Sequence, residues 1–194
     1  MELVSEVIPE SWFARPAPRV APGLIGAYLC MRRAGVRGRN EFEKWKIVEV
    51  EAYTEDDPAS HSFRGETKRN WPMFEPAGTV YVYQSYGMHR CLNIVTGKPG
   101  DGEAVLIRSL EPEFPCDARR LRDCSGPGKV GRILGIDLEW NGLELAPENG
   151  LWIEFPDEHL PRSRIVRASR IGISKGAQLP RRWYLKTSPS VSRL

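Results

Sequence analysis

No stretch of this chain approaches the run of about 18 apolar residues that a transmembrane helix needs. The opening MELVSEVIPESW carries early acids and no basic-then-apolar run, so a secretory signal is not expected. Cysteine and histidine are scarce: Cys30, Cys91, Cys116 and Cys124, and His61, His89 and His159. No CxxC pair occurs, and the histidines do not flank the cysteines at zinc spacing. The cysteines therefore read as free thiols in a reducing compartment. Internal repeats and low-complexity segments are absent. A Walker phosphate loop is excluded as well, because in CSGPGK (Cys124–Lys129) the lysine is followed by Val130 rather than Ser or Thr.

What is present is enough for one domain. The 194 residues are 41% apolar, which supplies a core without disulfides or metal. Sixteen prolines and eighteen glycines punctuate the chain and predict short elements. The net charge of +3 hides an asymmetry. From His159 onward there are nine Lys or Arg (Arg162, Arg164, Arg167, Arg170, Lys175, Arg181, Arg182, Lys186, Arg193) and no acid. Such a block is either a surface for a polyanion or a solvated tail.

Period-2 patterns dominate, so mainly antiparallel strands are expected. Pro22–Met31 is apolar and fits a helix or a strand. Lys46–Tyr53 (KIVEVEAY) alternates, with Val48, Val50 and Ala52 on one face and Ile47, Glu49, Glu51 and Tyr53 on the other. A carboxylate and an aromatic two residues apart can line one pocket, or form the wet face of an edge strand. A hairpin is signalled by Thr79–Gln84, the turn Ser85-Tyr86-Gly87 and Met88–Val95. It pairs Tyr81 with Tyr83 on one face and Val80 with Val82 on the other. Tyr86 at its tip either meets a partner or packs back on the sheet. Ala104–Ser109 is a further strand whose Arg108 needs a partner; Glu51 would suit it electrostatically. Val130–Leu134 is expected to be helical, and Leu151–Phe155, Ile165–Ile173 and Trp183–Lys186 to be strands. The glycines and Lys129 before the short helix could contact one phosphate.

Several long segments, in one order, resemble the alkyladenine (3-methyladenine) DNA glycosylases, the type found in mammals and many bacteria. They are IVEVEAY (Ile47–Tyr53), ASHSFRG with TKRN (Ala59–Asn70), MFEPAGTVYVYQSYGMHRCLN (Met73–Asn93), LIRSLEP (Leu106–Pro112) and CSGPGKV (Cys124–Val130). FARPAPRVAPGLIG (Phe13–Gly26), SRIGIS and WYLKTSPSVS extend the likeness over nearly the whole chain. The resemblance implies a mixed α/β (α+β) fold: one domain around a curved, mainly antiparallel sheet with a protruding hairpin and short peripheral helices. It places a loosely ordered arm at 1–12 and a single glycosylase domain at 13–194. It implies no metal and no organic cofactor, and a partner that is double-stranded DNA containing damaged purines, bound by a monomer without membrane attachment. The compartment expected is the bacterial cytoplasm at the nucleoid, or the nucleus of a eukaryote.

By the same resemblance, Glu51 is the general base that polarises water and Arg108 helps hold it. Tyr53, His61 and Tyr83 wall a pocket for the flipped base, and Asn93 is a gate against the exocyclic amine of guanine. Tyr86 fills the gap left in the duplex, and Met73, Met88, His89, Arg69 and Lys129 contact DNA. His89 stands where mammalian members carry an aromatic residue. The spacings from Tyr53 to His61 and from His61 to Met73 are slightly shorter than in the mammalian form, which leaves the range of lesions open.

The chemistry fits these residue types. Extruding a base costs a few kcal/mol, as glycosylases in general illustrate. Aromatic stacking returns about 1–3 kcal/mol per base, and a cationic alkylated purine adds cation–π attraction. A carboxylate can then orient water and stabilise the charge that develops on the sugar. Nothing in the pocket-lining strands offers a lysine or proline amine as a nucleophile, so hydrolysis without strand cleavage is expected. Two alternatives stand beside it: a module that shares the basic surface and the aromatics and reads damaged or RNA bases without cutting, and a related sheet that binds tRNA or protein.

Overall fold

The structure, a computed structural model, describes residues 6–34, 40–113, 118–156 and 160–193; Cys116 and His159 lie outside the described residues. Two short helices open it, α1 (Glu10–Phe13) and α2 (Ala17–Leu24), followed by β1 (Tyr28–Ala34) and β2 (Asn40–Tyr53). A hairpin of β3 (Val80–Ser85) and β4 (His89–Thr96) precedes β5 (Glu103–Pro112). Helices α3 (Ala118–Asp123) and α4 (Pro127–Leu134) then lead to β6 (Leu151–Glu154), β7 (Ile165–Ala168) and β8 (Arg182–Leu185). The strands form one eight-stranded sheet in the order β3-β4-β5-β2-β1-β6, with β8 joining β2 to β7. Every named strand pair is antiparallel. The curled sheet with few short helices is the single-domain α+β fold that the residues and the resemblance implied.

Local chemistry explains where the elements break. Gly26 takes a φ of +91° and donates to the Ile47 carbonyl, so the apolar stretch Pro22–Met31 divides into the end of α2 and the start of β1. Of the arm expected over 1–12, residues 6–12 are tied to the body. Val7 bridges to Glu154, and Ile8 donates to the Ile153 carbonyl and is 4% exposed.

Alternation sorts the sheet into two faces. Val48, Val50 and Ala52 of β2, Val80 and Val82 of β3, Leu92 and Ile94 of β4, and Val105 and Ile107 of β5 enter the main core. Helix α2 adds Val20, Ala21 and Leu24 to that core, and α4 adds Val130 and Leu134. The other face carries Glu49, Glu51, Tyr53, Tyr81, Tyr83, Asn93 and Arg108, and it holds the site described below. One residue departs from the expected pattern. Ile47 does not share the face of Glu49 but is fully buried in the main core. The ladder between β2 and β5 slips between Ile47 and Glu49 and again between Glu49 and Val50. These bulges reset the alternation and re-aim side chains next to the carboxylates.

Helix α4 lies so close to β4 that a Cβ at Gly131 would come within 2.0 Å of the Arg90 carbonyl oxygen. Gly131→Ala therefore forces the helix off the strand. Overpacking of this kind costs about 1–3 kcal/mol, and thermal unfolding followed by circular dichroism should show a melting temperature several degrees lower. An unchanged melting temperature would mean that α4 does not sit on β4 in this way.

Candidate active site

Glu51 lies mid-sheet on β2 with no exposure to solvent. Its Oε1 accepts from the Ile171 backbone N–H at 2.8 Å. Its Oε2 accepts from the Tyr53 hydroxyl at 2.8 Å and lies 3.3 Å from Nη1 of Arg108. The sequence suggested that Arg108 and Glu51 were electrostatic partners, and the sheet brings them together. Burial and the neighbouring Glu51 carboxylate push the Tyr53 phenol well above its ordinary pKa, so it stays neutral and donates. Arg108 loses some basicity to burial, but the Glu51 and Glu49 carboxylates more than reverse this and keep it charged.

The Ile171 N–H is supplied by a chain that leaves the sheet. The strand expected over Ile165–Ile173 ends at Ala168, because Arg170 turns into the interior. Arg170 pairs with buried Asp57 through both terminal nitrogens and also donates to the carbonyls of Ala52 and Gly176. Its guanidinium carbon sits 4.7 Å from the centroid of the Tyr53 ring, backing it with a cation.

A cavity of about 290 Å³ opens beside Tyr53, at the lower end of the size range of small-molecule sites. Tyr53, His61, Tyr81, Tyr83, Met73 and Asn93 line it, and Arg69 and Tyr86 stand among the residues at its edge. Glu51 is not among the lining residues; it meets the cavity through the hydroxyl of Tyr53, which lines it. His61 meets Tyr83 edge-on at 4.5 Å between centroids, and its Nδ1 shares a 2.8 Å hydrogen bond with the Tyr81 hydroxyl. Partial desolvation of the His61 ring against Tyr81 and Tyr83, and secondarily the Arg69 charge, lower its pKa below the ordinary value and favour the neutral ring. Burial also raises Tyr81 to about 12 and lifts Tyr83 further, so the wall carries no phenolate near neutral pH. The loop that presents His61 is tied by Asn70, which donates to the His61 and Gly65 carbonyls and accepts from Thr67. Asn93 is 4% exposed, and its amide nitrogen donates to the carbonyls of Tyr81 and Cys91.

Tyr86 protrudes from the hairpin tip. It is 92% exposed and adopts a φ of +48°, which is uncommon for a residue with a side chain. Met88 and His89 are exposed beside it, and the His89 ring comes within 2.7 Å of where a Cβ on Gly128 of α4 would sit. Lys129 is exposed in the same helix and donates to the Arg122 carbonyl. Arg69 is exposed and reaches the Gln84 carbonyl at 3.3 Å.

Met73, expected to contact DNA near the lesion, is 2% exposed in a cluster with Tyr81, Val95 and Ala104 and lines the cavity. The short 3-10 turn Trp71–Phe74 points Met73 into the cavity and leaves Trp71 at the surface. The basic C-terminal block is not uniformly surface. Arg170 and Arg182 are buried, and Arg181 reaches Thr54, Asp56 and Asp57. Arg162, Arg164, Arg167, Lys175, Lys186 and Arg193 remain exposed.

Sequence reasoning also missed several participants. Tyr81 carried a signal, since it shares a face with Tyr83. Glu49 carried one too, two residues before Glu51. The Ile171 N–H, Arg170 and Ser192 carried no local pattern that ties them to the site, because they reach it from 113 to 143 positions away along the chain.

Residues 11–189 match the family model described as methylpurine-DNA glycosylase. Among curated proteins, one from Methanoculleus marisnigri is 46% identical, the alignment covering 96% of this chain and 98% of that protein. Another from a Synechococcus strain is 43% identical over 93% of this chain and 96% of its own. A third, from Carboxydothermus hydrogenoformans, is 43% identical over 96% and 99%. Each carries the name 3-methyladenine DNA glycosylase.

Proposed function

We propose that this chain, which belongs to the methylpurine-DNA glycosylase family and is a DNA repair glycosylase, takes a damaged purine flipped out of the duplex into the cavity beside Tyr53. There it hydrolyses the N-glycosidic bond with a water that Glu51 activates. One observation carries this reading: a buried carboxylate, an aromatic cavity and an exposed tyrosine tip share one face of one sheet.

The energetics are of the right size. Flipping costs a few kcal/mol, less for a damaged base. Stacking against Tyr53, His61 and Tyr83 returns about 1–3 kcal/mol. Tyr86 fills the hole in the duplex as an intercalating wedge does. A neutral His61 adds no repulsion toward a cationic alkylated purine. Asn93, fixed by its two backbone acceptors, is a rigid side chain that cannot yield to a purine bearing an extra amine. Such a rim disfavours undamaged guanine.

In the chemical step, the bond between the sugar carbon and the purine nitrogen breaks, and its electron pair leaves with the base. A cationic purine departs neutral. The water oxygen bonds to the sugar carbon, and its proton passes to Glu51. A carboxylate offers about four acceptor positions, and among the described residues three donors reach this one. The remaining position suits the water. Among the described residues the lining includes no lysine, which supports water rather than an amine as the nucleophile, and an abasic product without strand cleavage. The exposed arginines and lysines of the last third, with Lys129 and Arg69, supply phosphate contacts that weaken with salt. The protein acts as a monomer in the compartment that holds the genome.

The test is release of free base from an alkylated duplex, with the strand left intact. No release from a panel of alkylated and deaminated purines would leave a binding module in its place. The wedge has its own test. Tyr86→Ala should weaken binding to lesion duplex about tenfold or more, the equivalent of one aromatic–base stack, as read by fluorescence anisotropy. Unchanged affinity would remove Tyr86 as the wedge.

A further inference from the structure

Glu49 is a second buried carboxylate, two residues before Glu51 on the same face, and the hydrolytic step does not use it. It has no exposure and an unusually full set of donors. Its Oε1 receives Nε of Arg182 at 2.6 Å, the Ser192 hydroxyl at 2.9 Å and Nε of Arg108 at 3.2 Å. Its Oε2 receives the Ser109 hydroxyl and the Ser192 backbone N–H, both at 2.8 Å. Burial works against ionisation, but the Ser192 N–H, Arg108, Ser109 and Arg182 together hold the carboxyl below its ordinary pKa.

The consequence lies in how Arg108 is divided. A free guanidinium binds a carboxylate through two parallel N–H groups. Here Nε is committed to Glu49 and Nη2 to the Ser192 hydroxyl at 3.2 Å, so Nη1 is the nitrogen that reaches Glu51. The local charges also balance: two guanidinium groups, Arg108 and Arg182, against two carboxylates.

We infer that Glu49 is a positioning residue: with Ser192 of the C-terminal tail it restrains Arg108 to a one-point contact with Glu51, so that the Glu51 carboxylate keeps an acceptor position open for the attacking water. The inference rests on the hydrolytic reading above. It makes the tail after β8 part of the site, since Ser192 touches both Glu49 and Arg108, and Arg182 also donates to the Arg193 carbonyl.

The groups that face Glu51 are Tyr53 on its own strand, Tyr83 from β3, Arg108 from β5, Arg182 opposite it on β8, and Arg170 behind Tyr53. Neutralising Glu49 frees Arg108 and Arg182 from their shared carboxylate and leaves an excess positive charge beside Glu51. Extra positive charge favours the ionised carboxylate and weakens it as a base.

The experiment measures single-turnover base release against pH for the whole protein, Glu49→Gln and Ser192→Ala, with lesion-duplex affinity and melting temperature alongside. For Glu49→Gln, the acid limb of the rate profile should move about one unit or more to lower pH. Its plateau should fall about tenfold or more, with affinity unchanged. Ser192→Ala should move both in the same direction by less, and it decides the matter if Glu49→Gln does not fold. An acid limb that stays in place in both folded variants, whatever happens to stability, overturns the inference and leaves Glu49 a structural ion-pair partner. A wild-type protein that releases no base at all, by contrast, overturns the hydrolytic reading itself.

Discussion

Glu51→Gln should reduce base release by at least about 10² to 10⁴, the range over which one positioned base typically acts, while binding to lesion duplex persists. The substitution is nearly isosteric and keeps an oxygen for the Ile171 N–H, which now donates at 2.8 Å. It replaces an acceptor by a donor where the Tyr53 hydroxyl and Arg108 converge, and it removes the group that receives the proton of the attacking water. The cavity wall is untouched, because Glu51 is not among the lining residues, so recognition should survive. Affinity by anisotropy and single-turnover release of free base separate the two quantities. Borohydride should trap no covalent DNA adduct with the wild-type protein, since among the described residues the cavity lining offers no lysine. Wild-type rates in the Gln variant would remove Glu51 as the base. A borohydride adduct would replace water with an amine.

The parts of this site that could be read in the sequence are those fixed by neighbours in the chain. Period 2 places Tyr81 with Tyr83 and Glu49 with Glu51, and a Tyr-Gly turn between two alternating runs defines a hairpin tip. The parts that could not be read depend on distant pairing. Ile47 left its expected face because β2 and β5 slip past one another at Glu49, and nothing local in KIVEVEAY announces a bulge. The sequence did show the charge of the C-terminal block, but not its fate. Arg170 finds Asp57 from 113 positions away, and Arg182 finds Glu49 from 133. A residue count cannot distinguish an arginine that neutralises a buried carboxylate from one that meets a phosphate. Burial makes the distinction, and it assigns Arg170 and Arg182 to the interior.

That assignment makes a separable prediction for Arg170→Met. Removing one partner of a buried ion pair leaves the other charge without compensation and costs about 3–5 kcal/mol. Among the described residues, Asp57 would keep Arg181, at 3.4 Å, and its backbone contacts. For a chain of this length the loss corresponds to a melting temperature about 10 °C lower. Activity should suffer as well, measured well below the transition. Arg170 backs the Tyr53 ring and fixes the chain just before the Ile171 N–H that holds Glu51, so base release should fall even in folded protein. The dependence of DNA affinity on salt should not change, however. Each phosphate that the protein ceases to neutralise reduces the slope of log affinity against log salt by about 0.9, and a buried arginine neutralises none. Arg164→Met, on the exposed surface, should behave in the opposite way, with a shallower slope and little loss of stability. If Arg170→Met gave the shallower slope and melted normally, the guanidinium would belong to the DNA-facing surface, and Tyr53 would need another support.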